Sequence, residues 1–130
     1  MEQDQNAGIC FDSSIAFKLL NGAVRSPDAA WIKNERWANL TEKEKEQFPP
    51  LYPDFIVEIK SSSDVLFSQE NKMAEWLSNG RKLAWLINPA EKFTLVFYND
   101  EVKCISFTET LLGETVLNGF ELRPNSIFKL

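Results

Sequence analysis

The eight residues Pro53-Asp54-Phe55-Ile56-Val57-Glu58-Ile59-Lys60 constrain this chain more than any other stretch, because they set ionisable groups inside apolar strand sequence. In an extended strand alternate residues share a face. Asp54, Ile56, Glu58 and Lys60 therefore project to one side, and Phe55, Val57 and Ile59 to the other. The pattern predicts one core face and one face holding two carboxylates and an ammonium.

At 130 residues the chain reads as a single domain, 1–130, long enough to bury a core without staples. A hydrophobic fraction of 44%, with 10 Phe and 4 Trp, is that of a globular protein rather than a disordered one. Cys10 and Cys104 follow no signal-peptide pattern and read as reduced thiols, which predicts a cytoplasmic protein. No apolar run approaches the roughly 20 residues that span a bilayer, so no membrane partner is expected.

The net charge of -5 and a pI near 4.8 argue against a protein that coats phosphate backbones. They leave room for an enzyme that approaches nucleic acid through a divalent cation, with weak encounter by charge alone. There is no histidine, which removes His-dependent triads. With no paired CxxC and no HExxH, structural or catalytic zinc is not expected either, and oxygen-ligated Mg or Mn remain the supported metals. No Gly-rich phosphate loop is visible.

Along the chain, Ile9 to Phe11 and Ile15 to Leu19 suit a hairpin across Asp12-Ser13-Ser14, and Asn21-Gly22 marks a turn. Pro27 predicts a strand starting at or next to Asp28. Thr41 to Phe48 reads as a helix with Thr41 as N-cap and Glu44 in the capping-box position, ended by Pro49-Pro50. A strand over Phe55 to Lys60 is followed by a polar break, Ser61 to Asp64, then a helix from about Ser68 to Ser78 with Asn79-Gly80 as its stop. Leu83 to Ile87 reads as a buried strand, and Phe93 to Tyr98 with Val102 to Phe107 as a second hairpin. The tail from Thr115 holds an edge strand and a break at Pro124. This order predicts an α/β or α+β domain with a mixed central sheet, in which the strands on either side of the 68–78 helix run parallel.

Asp28 and Glu58, meeting across adjacent strands, would bind a divalent cation through oxygen, with the carbonyl of Ile59 as a further ligand. Lys60 would hold the attacking water or neutralise developing charge. Such a set hydrolyses phosphodiesters without histidine. The competing reading of Glu58 and Lys60 is a salt bridge on a solvated face, worth about 0 to 1 kcal/mol. Asp54 after Pro53 reads as a strand-entry residue. Trp31, Trp76 and Trp85 read as core, Trp37 beside Arg36 as packing or a stacking surface, and Glu42, Glu44 and Glu46 with Lys43 and Lys45 as a solvated helix face.

Pro27-Asp28 with Glu58-Ile59-Lys60 resembles the PD-(D/E)XK nuclease superfamily, marked by an Asp at a strand start and an acid-x-Lys on the next strand. The likeness narrows to the restriction-endonuclease-like family abundant in cyanobacteria and often called Uma-two. It rests on Phe17-Lys18-Leu19-Leu20-Asn21-Gly22-Ala23-Val24-Arg25-Ser26-Pro27-Asp28, Pro53-Asp54-Phe55-Ile56-Val57-Glu58, Ser61-Ser62-Ser63-Asp64, Lys72-Met73, Asn79-Gly80 and Trp85-Leu86-Ile87-Asn88-Pro89. The resemblance implies a restriction-endonuclease-like mixed sheet with flanking helices. It also implies a Mg- or Mn-dependent endonuclease acting on DNA, with Asp28 and Glu58 as metal ligands and Lys60 as the catalytic lysine. Lys72 enters as a second candidate, because in this family a helix lysine in the Lys-Met segment can take that role.

Family members usually begin with a helix carrying a further acid. The present sequence starts downstream of it, which predicts a core without its first helix and a truncated product or isolated segment. The alternatives are a catalytically inactive remnant serving as an interaction or homodimerisation module, and an α/β enzyme acting on a small phosphate ester.

Overall fold

The computed structural model describes residues 7–61, 63, 66–78, 83–98 and 101–127. In chain order these form β1 (Gly8–Asp12), β2 (Phe17–Lys18), β3 (Val24–Arg25), β4 (Ala29–Lys33), α1 (Asn34–Ala38), α2 (Glu42–Glu46) and β5 (Phe55–Ile59). There follow α3 (Leu66–Ser78), β6 (Leu83–Asn88), β7 (Phe93–Tyr98), β8 (Glu101–Ser106), β9 (Leu111–Leu112), β10 (Glu121–Leu122) and a 3-10 turn at Pro124–Ser126.

Six strands make one mixed sheet in the order β1-β4-β5-β6-β7-β8. Every pairing is antiparallel except β5 with β6, which run parallel as the helical crossover requires. The helix, the parallel pair and the β7–β8 hairpin thus stand where the sequence pattern sets them.

The amino-terminal region differs. Ile9 to Phe11 and Ile15 to Leu19 do not pair with each other; β1 joins β4 instead, with Gly8 opposite Lys33 and Asp12 opposite Ala29. The reason lies at the supposed turn, where the Asp12 carboxylate accepts from Ser14 N at 2.9 Å and ends β1. The short hairpin is β2–β3, closed at Asn21-Gly22 with Gly22 at φ +86°. Gly8 is required sterically, since a Cβ there would stand 2.4 Å from the Trp31 indole.

Helix α1 has no counterpart in the sequence pattern: it is five residues long, and Lys33 at its N-cap makes no side-chain cap bond. Helix α2 carries the expected capping box, with Glu44 N on the Thr41 hydroxyl and Thr41 N on the Glu44 carboxylate. The tail strand β10 pairs with β9 rather than with the main sheet. The Asn79-Gly80 stop lies outside the described residues. Both cysteines are exposed and neither is in a disulfide. Among the described residues no helix is long and apolar enough to cross a membrane.

The sheet is buried on both faces. On one, Ala30, Ile32, Ile56, Ala84 and Leu86 pack under Met73 and Trp76 of α3 and under Phe17 and Leu19 of the hairpin. On the other, Trp31, Phe55, Leu83, Trp85 and Ile87 pack against Phe107, Leu111 and Leu117. The two layers overturn the expectation of one apolar and one charged face: Ile56 shares its side with Asp54 and Glu58, and all three are buried. Each large apolar side chain so enclosed contributes about 1.5–3 kcal/mol, while the two carboxylates must find partners or protons.

Candidate active site

The partners differ for the two acids. Asp54 is fully buried at the entry to β5; its Oδ2 accepts from Lys33 N at 2.9 Å and lies 2.9 Å from Arg36 Nη1. Arg36 is fixed in turn, donating through Nη2 to the Tyr52 carbonyl at 2.7 Å and lying 4.6 Å from the centre of the Tyr52 ring. Asp54 therefore ties α1 and β4 to β5, consistent with a strand-entry residue, and Arg36 stacks on Tyr52 rather than on Trp37.

At the other end of the same strand the register matters. Strands β4 and β5 pair Trp31 with Phe55, Ala30 with Ile56 and Ala29 with Val57. The ladder ends there, and Asp28, the next residue back, lies close enough for its charge and main chain to act on Glu58. Pro27 has no N–H to give the ladder, so regular pairing begins after it, and the Asp28 side chain takes over: its Oδ2 accepts from Ile59 N at 2.7 Å. Asp28 is exposed, whereas Glu58 is 3% exposed.

Helix α3 completes the group. Lys72 and Trp76, four residues apart, lie on one helix face. Trp76 Nε1 donates to Glu58 Oε2 at 3.2 Å, and Lys72 Nζ stands 4.0 Å from the same oxygen, with its own side chain 41% exposed. Burial pushes the pKa of Glu58 up, and the charge of Asp28 adds to the rise; Lys72, the Trp76 N–H and the main chain of Asp28 oppose it.

Of the residues singled out in the sequence, the structure brings together Asp28, Glu58 and Lys72. Lys60 stands apart, its Nζ donating to the Ser61 carbonyl at 3.3 Å and its main-chain N to the Ile87 carbonyl at 2.8 Å. Among the described residues it makes no ion pair with either carboxylate. Ile59 enters through its N–H on Asp28. Trp76, which reads from sequence as core only, is also the hydrogen-bond donor to Glu58; its spacing from Lys72 is the one available signal.

The donors are hard oxygens; burial raises the Glu58 pKa and the nearby Asp28 charge adds a smaller rise, and a divalent cation would offset both. Among the described residues no group of three or more Asp, Glu, Cys or His is gathered for a metal. Two carboxylates suit an ion that keeps several waters or substrate oxygens, as Mg does.

A mixed sheet with α3 crossing between parallel central strands is the restriction-endonuclease-like α+β fold. The chain belongs to the Uma2 family, described as "Putative restriction endonuclease", whose sequence model matches residues 1–125. It is similar in structure to a nuclease of Anabaena variabilis titled "putative nuclease belonging to DUF820". That likeness has a TM-score of 0.76 and 17% identity over 98% of this chain and 71% of the other, and at that identity it speaks for the fold. A chain of the DrdV–DNA complex matches at a TM-score of 0.47 and 12% identity, over 79% of this chain and 8% of that one, too distant to carry an argument. No curated protein matches.

Proposed function

We propose that this chain is a metal-dependent endonuclease that hydrolyses DNA phosphodiester bonds, with Asp28 and Glu58 as the acids that hold Mg or Mn and Lys72 as the assisting cation. The observation that carries this reading is the meeting of three elements at one carboxyl group: Asp28, just ahead of β4, is bonded to Ile59 N and acts on Glu58 of β5, and α3 brings Lys72 to 4.0 Å from Glu58 Oε2. The Ile59 carbonyl is a further candidate ligand. Bound there, a divalent cation would polarise a phosphate and lower the pKa of a bound water.

The chain's own residues have three tasks. The Lys72 charge and the Trp76 N–H favour the anionic form of Glu58 and oppose the effect of its burial. Asp28, exposed and anchored through one oxygen to Ile59 N, presents its carboxylate at the surface where a DNA strand would approach. Lys72, half-exposed, is positioned to hold a water or a non-bridging phosphate oxygen. Lys60 is the alternative for that role and is less well placed. With a net charge of -5, encounter with DNA depends on the cation and on local contacts.

The test is to incubate supercoiled plasmid and oligonucleotide duplexes with the protein and Mg or Mn, beside Glu58→Ala and Lys72→Ala. Cleavage by the wild type and none by the variants is expected. Equal cutting by all three would mean a contaminating nuclease and sink the catalytic reading.

A further inference from the structure

Three tryptophans are sealed in the core, Trp31, Trp76 and Trp85, each no more than 2% exposed. The indole nitrogens of Trp31 and Trp85 are buried without a hydrogen-bond partner. This fold therefore encloses indole rings for their apolar surface and leaves their N–H groups unmatched. Trp76 differs: its N–H is spent on Glu58 Oε2 at 3.2 Å.

We infer that Trp76 is a positioning residue, fixing the carboxyl group of Glu58 in the orientation in which it binds a divalent cation together with Asp28. This rests on the reading of Asp28 and Glu58 as the metal-binding acids. A glutamate side chain has three rotatable bonds, and in a buried site the rotamer is set by whatever holds its oxygens. Here Oε2 is held from the α3 side by an indole that is itself locked among Met73, Ile56 and Leu86 in one packed layer. The Lys72 ammonium is too exposed and too distant, at 4.0 Å, to fix an orientation alone. Groups that hydrogen-bond a metal ligand typically change affinity by about 10–100-fold when removed.

The experiment is Mn binding by calorimetry on the full chain, comparing wild type, Glu58→Ala, Trp76→Phe, Trp85→Phe and a semisynthetic protein with benzothienylalanine at position 76. That last residue has the shape of tryptophan with sulfur in place of the N–H, so it keeps the packing and deletes only the donor. Trp85→Phe serves as the control for losing a core indole that touches neither acid. Mn affinity about tenfold weaker in both position-76 proteins, near wild type in Trp85→Phe and lost in Glu58→Ala is the expected result. Wild-type affinity with benzothienylalanine, alongside loss in Glu58→Ala, overturns the role of Trp76 and leaves the metal site standing. Absence of Mn binding by the wild type overturns both.

Discussion

Lys72 Nζ lies 4.0 Å from Glu58 Oε2, whereas Lys60, only two residues from Glu58 in the chain, turns its ammonium to the Ser61 carbonyl. Closeness in sequence and closeness in space select different lysines. Replacing Lys72 by Ala is expected to lower the rate of Mg-dependent plasmid nicking by about 10²–10³, the usual consequence of losing one well-placed electrostatic group. Lys60→Ala should cut at a rate near wild type. Initial rates of supercoil loss measure both, and the opposite ranking would return the role to Lys60.

The raised pKa of Glu58 gives a stability prediction with a definite sign. A carboxyl group whose pKa is higher in the fold than in the unfolded chain binds its proton more tightly when folded. Its contribution is complete below the ordinary value of 4.5 and is lost as pH rises through the elevated folded value. Glu58→Gln, a permanent mimic of the neutral form, should therefore melt above wild type at neutral pH without metal. The difference should shrink to nothing below pH 4.5. Thermal melts in EDTA from pH 3 to 8, roughly spanning both protonation states, provide the check; a gap that widened toward acid would contradict it.

Asp54 and Arg36 belong to the scaffold. Arg36→Ala leaves a fully buried carboxylate without its guanidinium and should cost about 3–5 kcal/mol in urea unfolding. Asp54→Asn should also destabilise the protein while leaving Mn binding at the wild-type level. A loss of Mn affinity in folded Asp54→Asn would instead place Asp54 among the candidate metal ligands.

Gly8 sets how closely β1 approaches the sheet. An added Cβ would meet Trp31 at 2.4 Å and the Ile32 carbonyl at 2.6 Å, so Gly8→Ala should cost roughly 1–3 kcal/mol, as overpacking does. Denaturant unfolding measures it, and an unchanged midpoint would mean that β1 shifts freely.

Much of this arrangement is legible because local patterns carry it. The helix between two apolar runs predicts parallel β5 and β6, and Thr41 with Glu44 predicts a capped helix. What stays hidden depends on distant pairing. Residues 9–11 alternate like any edge strand, and nothing in them names β4 as the neighbour. The two-residue period places Lys60 beside Glu58, but β5 ends at Ile59, and past that point alternation no longer dictates a face. Lys72 is visible as a candidate through family likeness alone, since its approach to Glu58 is created by how α3 lies on the sheet. Trp76 reads correctly as core; that its single polar atom meets a carboxylate is a fact of packing.

The bond from Ile59 N to Asp28 Oδ2 means that one carboxylate oxygen serves where a main-chain carbonyl would in a longer strand. If Asp28 is a metal ligand as proposed, position 28 is under two separate demands, one for an acceptor that finishes the sheet and one for a negative charge. Asparagine meets the first and fails the second, and alanine fails both. A relative carrying Asp28→Asn would thus keep its sheet closed and, on the proposed reading, give up its hold on the cation through a single exchange of oxygen for nitrogen.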